Sequence, residues 1–368
     1  MRVLVAPDKF KGSLSAVQVA AAAGQGLATA GVQASLLPLA DGGDGSVAAA
    51  LHAGFTAHDV AVRGADGRTV KAQFASDGRT AVVEVASTCG LATLDAGTFA
   101  PTTASSHGFG QAVAAAAATG VRRIVLALGG SASTDGGSGM LAALGARFHD
   151  VAGAEVEPCG DTLADIASAD FAAIAMPRDV ELIVATDVAN PLLGPDGAAA
   201  VFGPQKGANT DQVRLLEAGL KSFASTVAGP AAGSEPGAGA AGGIGFAAML
   251  LGARPVSGAE FFLDLLGFDT ELERCQAVLV GEGSMDAQTL WGKLPAVIAA
   301  RAAPRPVYAI VGHSTLSGSE QSQLGIGHLC TLTGMTTGDP SRDPDLSFTL
   351  VRRAAAAIGQ RLRHPAET

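Results

Sequence analysis

The chain has 368 residues, of which 48% are hydrophobic and only 16% charged, and its formal net charge is −10 at pH 7. This composition excludes wholesale disorder, and the length predicts two or three domains at roughly 100–200 residues each. The negative charge argues against nucleic acid and anionic membranes as partners, but local lysines and helix N-termini can still bind a small anionic ligand.

The N-terminal stretch MRVLVAPDKF becomes polar after six residues, so it predicts a first strand and no signal peptide. No apolar run approaches the roughly 20 residues that span a bilayer. Cys89, Cys159, Cys275 and Cys330 lie far apart without metal-binding spacing, which indicates reduced thiols. We therefore expect a cytoplasmic protein.

Residues 1–40 predict a strand, a helix and a second strand. RVLVA is a short apolar run, apolar residues recur at helical spacing from Ala16 to Leu27, and VQASLLPLA returns as a strand. Between residues 55 and 88, the turns GADG and SDG separate three predicted strands. Direct hairpins of this kind indicate an antiparallel or mixed sheet.

Helices and strands then alternate along the chain. A helix near 108–119, a strand at 122–128, a helix from about 138 and a strand at 181–188 are predicted. The glycine- and alanine-rich stretch 227–245 reads either as a linker or as the approach to the apolar helix FAAMLLGA. Beyond residue 270 we predict strands at QAVLVGEG, RPVYAIVGHS and IGHLCTLT, with helices near 290–303 and 345–363.

The two ends of the chain thus share one pattern and the middle has another. We predict an α/β fold in which residues 1–55 and 232–368 form a Rossmann-like (flavodoxin-like) domain with a parallel sheet. Residues 56–231 form an inserted second α/β domain with a mixed sheet in this prediction. The active site is expected in the cleft between the two domains.

Five segments share one chemical pattern, in which an apolar strand is followed by glycines with one or more acids and then by a helix start. They are APDKFKGSLSA (6–16), LADGGDGS (39–46), LGGSASTDGGSGM (128–140), VATDVANPLLGPDGAAAVFGPQKGANT (184–210) and VGEGSMDAQTLWGK (280–293). Ligands of open α/β sheets bind beyond the carboxyl ends of the strands. A single loop of this kind is as readily explained as an ordinary tight turn between a strand and a helix. Five of them, each with at least one carboxylate, indicate a shared ligand-binding site.

The carboxylates of these segments are expected to converge on one rim. They are Asp8, Asp41, Asp44, Asp135, Asp187, Glu282 and Asp286. So many acids repel one another unless cations compensate, and the candidate cations are a bound divalent metal ion with Lys9, Lys11, Lys206 and Lys293. Phosphoryl transfer needs lysines and backbone donors that bind the phosphates, carboxylates that bind Mg²⁺, and one carboxylate that takes the proton of the acceptor hydroxyl. This set of residues therefore fits phosphoryl transfer. Neither a Walker A loop nor a dinucleotide-binding fingerprint occurs.

Taken together, these motifs resemble the type 1 glycerate kinase family. They occur in the family's order over nearly the whole chain, and DVANPLLGPDGA with FGPQKG is the most specific part. The resemblance implies ATP-dependent phosphorylation of D-glycerate, usually to 2-phosphoglycerate. It also implies a Rossmann-like domain split by an inserted α/β domain.

The sequence departs from the family pattern at a few positions. Position 9 is serine or lysine in the family, which makes Lys11 the safer lysine. The family's GGEGT motif reads GGDGS here, so the shorter Asp44 stands in place of the glutamate, and Thr134 replaces an asparagine. Ser284 stands where the family has an arginine. This last change bears on substrate affinity more than on the class of reaction.

The motifs and the resemblance together assign candidate roles. Asp187 is the preferred general base, with Asp286, Lys11 and Lys206 as further catalytic residues. Substrate and phosphate binding is assigned to Asp8, Ser131, Asp135, Asn190, Gln205, Lys293, Gly129 and Gly130, and metal binding to Asp41, Asp44 and Glu282. The stretch 129–140 is expected to form a neutral cradle of donors for a phosphate or for the glycerate carboxylate, in which Asp135 binds metal or orients a substrate hydroxyl.

Two alternatives stay open at this point. One is a kinase of another small hydroxy acid or sugar acid, and the other is a non-catalytic protein that binds sugar acids. The number of acids favours metal–nucleotide chemistry over simple binding. The expected partners are D-glycerate and ATP, and homodimer formation stays open.

Overall fold

The computed structural model describes residues 1–177 and 179–364. The strands are β1 (Arg2–Pro7), β2 (Gln33–Leu36), β3 (Thr56–Arg63), β4 (Thr69–Ser76), β5 (Thr80–Glu84), β6 (Arg123–Ala127), β7 (Arg147–His149), β8 (Ser168–Asp170), β9 (Glu181–Ala185), β10 (Arg254–Val256), β11 (Ala277–Met285), β12 (Val307–Ser314) and β13 (Ile326–Thr331). The helices are α1 (Ala16–Thr29), α2 (Ser46–His52), α3 (Val85–Cys89), α4 (His107–Ala118), α5 (Ser138–Ala143), α6 (Ala198–Phe202), α7 (Thr210–Ala228), α8 (Ala240–Leu250), α9 (Gly258–Leu265), α10 (Phe268–Glu273), α11 (Leu294–Ala302), α12 (Gly318–Gln323) and α13 (Pro344–Arg363). Short 3₁₀ helices lie at Leu91–Thr93, Gly160–Asp165, Pro204–Lys206 and Ala287–Trp291.

The chain divides into two compact units. The terminal unit comprises Met1–Asp41 and Ala259–Thr368, and the middle unit comprises Gly42–Gly258. Residues 42–55 and 232–258, which the sequence analysis placed with the termini, therefore belong to the middle unit. The reason is packing: α2 contacts β4 and β5, and β10 pairs with β9.

The terminal unit is built on a parallel sheet. Its strand order is β2-β1-β11-β12-β13, and every neighbouring pair is parallel. Counted along the chain this is the order 2-1-3-4-5, which is the flavodoxin-like arrangement predicted for the two ends. The strand order reverses between β1 and β11, and an open α/β sheet binds its ligands at such a point.

The middle unit contains the predicted mixed sheet. Its strand order is β10-β9-β6-β5-β4-β3, with β5, β6, β9 and β10 parallel and the hairpins β3–β4 and β4–β5 antiparallel. A small antiparallel pair, β7 and β8, lies apart from this sheet. The α/β class and both predicted types of sheet are confirmed.

Helix α13 is amphipathic and packs its apolar face against the rest of the terminal unit. On α13, Leu350, Ala354 and Ile358 are buried, whereas Arg353 and Arg361 are exposed. Across the described residues, no helix combines the length and the apolarity that crossing a membrane requires.

Close packing of α1 on α13 gives a test of the terminal unit. A Cβ at Gly26 would overlap the carbonyl oxygen of Arg352 and lie 2.8 Å from the Cβ of Ala355. We expect Gly26→Ala to lower the free energy of unfolding by about 1–3 kcal/mol, because overpacking outweighs the better helix propensity of alanine. Gly24→Ala in the same helix is the control, since its Cβ would meet only the flexible Leu36 side chain. Equal urea denaturation midpoints for the two variants would contradict this packing.

Candidate active site

The carboxyl ends of β1 and β11 bring two predicted site acids together. The strands pair in a register that sets Pro7 opposite Gly281, so the next residues, Asp8 and Glu282, lie side by side. The backbone N–H of Asp8 donates to the carbonyl of Gly281 at 2.8 Å. The Asp8 carboxylate accepts from the backbone N–H of Lys9 at 2.7 Å and lies 3.7 Å from the Lys9 ammonium.

The acids at this edge are crowded beyond what the nearby lysines compensate. Burial raises the pKa of Asp8 to about 7; Lys9 opposes this shift and Asp41 adds to it. Burial likewise raises the pKa of Glu282 to about 8; Lys293 opposes this shift, and Asp8, Asp41 and Asp286 add to it. The buried Glu282 Oε2 has no hydrogen-bond partner among the described residues. An added cation would therefore be stabilised here.

The donor set at this edge fits a hard cation that brings further ligands with it. Carboxylate oxygens are the side-chain ligands that Mg²⁺ prefers, and it usually takes one or two of them together with substrate phosphates. Within residues 1–177 and 179–364, no three His, Cys, Asp or Glu side chains are arranged to hold a metal ion by themselves. Asp8, Asp41 and Glu282 thus suit a metal ion that arrives with a phosphate.

The predicted lysines of the terminal unit flank the same sheet edge. The Lys293 ammonium lies 3.7 Å from the Asp286 carboxylate, and the backbone N–H of Asp286 donates to Thr289 Oγ1 at 3.3 Å. Lys11 is exposed in the loop after β1, where it lines a small cavity of about 70 Å³ with Ser13 and His313. These lysines are placed for electrostatic contacts at the carboxyl ends of β1, β11 and β12.

In the middle unit, the glycine loop, defined here as residues 129–137 between β6 and α5, is mostly buried. Gly130 is exposed and Gly129 half-buried, whereas residues 131–137 are all buried. Only the first two glycines of this loop can therefore present backbone groups to a ligand in this conformation. The predicted cradle of donors is therefore limited to Gly129 and Gly130, although the motif spans residues 129–140.

The sequence predicted Asp135 on an accessible rim, but the structure buries it. It is 0% exposed, and its carboxylate accepts hydrogen bonds from the N–H and hydroxyl of Ser106 at 2.7 and 2.8 Å. It also accepts from the N–H groups of Gly137 at 3.1 Å and Gly139 at 3.3 Å. Burial raises the pKa of Asp135, and these donors oppose the shift. Its carboxylate thus fixes the end of the glycine loop and is not open to metal or substrate.

Lys206 is also buried, although we predicted contact with phosphate. Only 3% of the residue is exposed, and its ammonium donates to Ser131 Oγ at 2.9 Å and to the Ser133 carbonyl. Burial lowers the pKa of Lys206 to about 8, and the charge of Asp135 opposes the shift. The lysine therefore contacts the glycine loop from the inside.

Other predicted residues of the middle unit lie in exposed or loop positions. Asp187 is exposed after β9, and its Oδ1 accepts from the Ser257 hydroxyl and the Gly258 N–H, both at 2.9 Å. The Asn190 amide donates to the carbonyl of Asp196 at 2.8 Å and so shapes its own loop. Gln205 and Asp44 are exposed.

Asp187 also lies on the wall of a large cavity of about 990 Å³ within the middle unit. The cavity opens beyond the carboxyl ends of β9 and β10, and its walls include Val188, Phe246, Met249 and Val256. Its described lining residues contain no lysine or arginine. This chemistry suits an uncharged, partly apolar ligand more than a phosphate or a small carboxylate.

Some residues that hold the site were missed by sequence reasoning. Glu84, at the end of β5, is buried and accepts from the N–H groups of Gly45 and Val47 at 3.2 and 3.1 Å, so it fixes the loop that carries Asp44. Ser106 anchors Asp135 in the same way. A glutamate at the end of an otherwise apolar strand was the available signal for Glu84, but no local pattern marked Ser106.

Known proteins resemble the chain over nearly its whole length. A family model described as "Glycerate kinase family" matches residues 3–359. A glycerate kinase of Bacillus subtilis is 39% identical over 90% of both chains, and a glycerate 2-kinase of Escherichia coli is 38% identical over 86% of both. The crystal structure of a putative glycerate kinase 2 from Salmonella typhimurium LT2 superimposes with a TM-score of 0.83 at 34% identity and covers both chains fully. The chain therefore belongs to the glycerate kinase family and is a phosphotransferase with an alcohol group as acceptor.

Proposed function

We propose that the chain transfers the γ-phosphoryl group of ATP to the 2-hydroxyl of D-glycerate, with Mg²⁺, to give 2-phospho-D-glycerate and ADP. The observation that carries this proposal is the crowded acid cluster at the carboxyl ends of β1 and β11, where Asp8 and Glu282 are held with raised pKa values. A protein that only binds a sugar acid needs cations for the ligand carboxylate. Excess carboxylates suit a metal–nucleotide complex instead.

Asp8, Asp41 and Glu282 are the residues that would hold Mg²⁺ in this proposal. The buried, unpartnered Oε2 of Glu282 supports the assignment, since the described residues leave one of its acceptors unused. When bound, the ion neutralises charge on the β- and γ-phosphates. Asp44, which the sequence also assigned to metal binding, is exposed in the loop before α2 of the middle unit, and its role stays a prediction.

Asp187 is the proposed general base. The glycerate hydroxyl attacks the γ-phosphorus, its proton passes to the Asp187 carboxylate, and the bond from phosphorus to the bridging oxygen breaks to release ADP. Asp187 is exposed and oriented by Ser257 and Gly258, whereas the competing candidate, Asp286, is paired with Lys293 at 3.7 Å. The ion pair already engages the Asp286 carboxylate, which supports Asp187 over Asp286 as the base.

The nucleoside part of ATP is the ligand that best fits the cavity beside Asp187. It is the largest uncharged portion of either reactant, and a cavity without described lysine or arginine does not suit the triphosphate or glycerate. Apolar walls at Phe246 and Met249 can cover a base. Because ATP is the phosphoryl donor, the proposal also keeps the expected cytoplasmic location.

Lys11 is proposed to contact the phosphates, and it gives a clean test because it is exposed. We expect Lys11→Met to lower kcat/KM by about 30-fold, which corresponds to about 2 kcal/mol of transition-state stabilisation, with the melting temperature unchanged. Lys221→Met, at an exposed position of α7, is the control. Wild-type kinetics for Lys11→Met in a coupled ADP assay would remove Lys11 from the site.

The proposed reaction is tested by ADP release from ATP. We expect release to require both D-glycerate and Mg²⁺, and to be much slower with L-glycerate, lactate or gluconate at equal concentration. If a different hydroxy acid or sugar acid supports faster release, the reaction class stands and the substrate is reassigned. If the purified chain binds D-glycerate without releasing ADP under any condition, it is a binding protein.

A further inference from the structure

Lys206 occupies an unusual position for a lysine of a substrate-binding motif. It ends the short 3₁₀ helix Pro204–Lys206, and its side chain runs into the middle unit, where 3% of the residue is exposed. Its ammonium donates to Ser131 Oγ at 2.9 Å and to the Ser133 carbonyl. Both acceptors belong to the glycine loop, directly after its two accessible residues, Gly129 and Gly130.

Three separate segments of the chain enclose the ammonium. The Asp135 carboxylate faces it from the glycine loop and the Cys89 thiol from α3. The third segment contains Gly242, where a Cβ would overlap the Ser133 carbonyl oxygen and lie 2.9 Å from Nζ. Because residue 242 is a glycine, the Lys206 ammonium and the Ser133 carbonyl have room to hydrogen-bond beside it.

Lys206 and Asp135 hold the two ends of the buried part of this loop. The Lys206 ammonium donates to Ser131 and Ser133 of the loop. The Asp135 carboxylate accepts from Gly137 at the end of the loop and, outside it, from Gly139 in α5 and from Ser106. Hydrogen bonds that involve a charged group are stronger than neutral ones, and the two opposite charges attract each other in a dry surrounding. These charges therefore hold the segment that directly follows Gly129 and Gly130, while the N–H of Gly129 donates to the Gly42 carbonyl and the Gly130 carbonyl accepts from the N–H of Leu91.

We propose that Lys206 is a positioning residue, which fixes the accessible backbone of Gly129 and Gly130 from inside the protein by holding Ser131 and Ser133. It acts on a bound phosphate or carboxylate through the loop and does not touch it. The consequence for activity rests on the proposed kinase reaction, whereas the consequence for the loop does not.

The charge of Lys206 gives this proposal a distinctive dependence on pH. Burial lowers the pKa of Lys206 to about 8, while burial raises the pKa of the facing Cys89 thiol to about 12, so the lysine loses its proton first as pH rises. Above pH 8 the loop loses a charged donor and Asp135 loses its counter-charge, so kcat/KM falls.

The contribution of Lys206 to stability has the opposite sign. Between pH 8 and the pKa of an unfolded lysine, about 10.4, the unfolded chain binds more protons than the folded chain. This contribution to stability therefore increases with pH over the same window in which activity declines. A residue with a purely structural role would not separate the two quantities.

The test compares the wild type with Lys206→Met, Lys206→Arg and the exposed control Lys221→Met from pH 6.5 to 9.5. We expect Lys206→Met to lose about 30-fold or more in kcat/KM at pH 7.5 and to lack the decline near pH 8. Lys206→Arg should restore at least a tenth of the activity and keep it above pH 9, because arginine stays protonated. The control should follow the wild type.

Hydrogen exchange of the glycine loop tests the proposal without any variant or substrate. We expect the protection factors of peptides covering residues 129–136 in the wild type to fall between pH 7.5 and 9.5, after correction for intrinsic exchange. If wild-type protection is constant, or if Lys206→Met keeps wild-type kcat/KM, the proposal is wrong. If the wild type does not phosphorylate D-glycerate, the proposed function fails, and the exchange data still decide the role of Lys206.

Discussion

Replacing Asp187 by asparagine is expected to lower kcat for phosphorylation of D-glycerate by about 10²–10⁴-fold, because the variant cannot accept the hydroxyl proton. Asparagine keeps the shape of the side chain and an oxygen that can accept from the Ser257 hydroxyl and the Gly258 N–H. The loop after β9 should therefore keep its conformation. The measurement is the steady-state rate over a range of Mg²⁺ concentrations, together with the dissociation constant of ATP.

Asp286→Asn is the matched control for the base, since Asp286 follows β11 and pairs with Lys293. A base variant loses rate at every Mg²⁺ concentration and still binds nucleotide, whereas a variant of a metal or phosphate contact is partly rescued by excess Mg²⁺. If excess Mg²⁺ rescues Asp187→Asn but not Asp286→Asn, the two assignments are reversed. If Asp187→Asn changes only KM for ATP, Asp187 contacts the nucleoside in the adjoining cavity instead.

Replacing Glu282 by glutamine should weaken the use of Mg²⁺ without weakening the fold. We expect kcat/KM for ATP to fall by roughly 10²-fold at 1 mM Mg²⁺, since a metal-ion contact to the phosphates contributes several kcal/mol to the transition state. A higher Mg²⁺ concentration should restore part of the activity. Because burial raises the pKa of Glu282 and its Oε2 has no described partner, the neutral variant should be at least as stable as the wild type.

Glu320→Gln is the control for this variant. Glu320 is half-buried in the terminal unit and completes the capping box of α12 with Ser317, a role that glutamine also fills. Its Mg²⁺ dependence should match that of the wild type. An unchanged Mg²⁺ dependence of Glu282→Gln would remove Glu282 from the metal site.

The strand pattern of the terminal unit and the hairpins of the middle unit could be predicted because their signals are local. Buried parallel strands are short apolar runs, and the turns GADG and SDG separate β3, β4 and β5. The extent of the middle unit could not be predicted in this way. Its last strand, β10, has only three residues and contains Pro255, so it gives no periodic signal.

The conformation of the glycine-rich first turn of α8 could not be predicted from local sequence patterns. Ala241, Gly242 and Gly243 have left-handed backbone conformations, with φ of 54°, 68° and 96°, and the Gly242 carbonyl accepts from the N–H of Gly136. These residues therefore pack on the glycine loop, which neither a linker nor a regular helix would do. The contact depends on a partner more than a hundred residues away, and composition carries no information about it.

The acids of the candidate site were identified because charged residues in glycine-rich loops stand out from apolar strands. For Asp8, Glu282 and Asp286, the register of β1 and β11 supports a shared environment. For Asp135 and Lys206 the same pattern was misleading, since both are buried and bind the protein itself. Burial of a charge depends on where Ser106, Ser131 and Gly242 come together in the fold, and a single sequence does not reveal this.

The most direct test of the proposed reaction is the ³¹P NMR spectrum of the product formed by the wild-type chain from ATP, Mg²⁺ and D-glycerate. We predict a new phosphomonoester signal that is a doublet without proton decoupling, because the phosphorus of 2-phosphoglycerate couples to the single proton on C2. A triplet would show transfer to the primary hydroxyl and contradict the proposed product. The absence of any new phosphomonoester signal while D-glycerate is bound would contradict the proposed reaction itself.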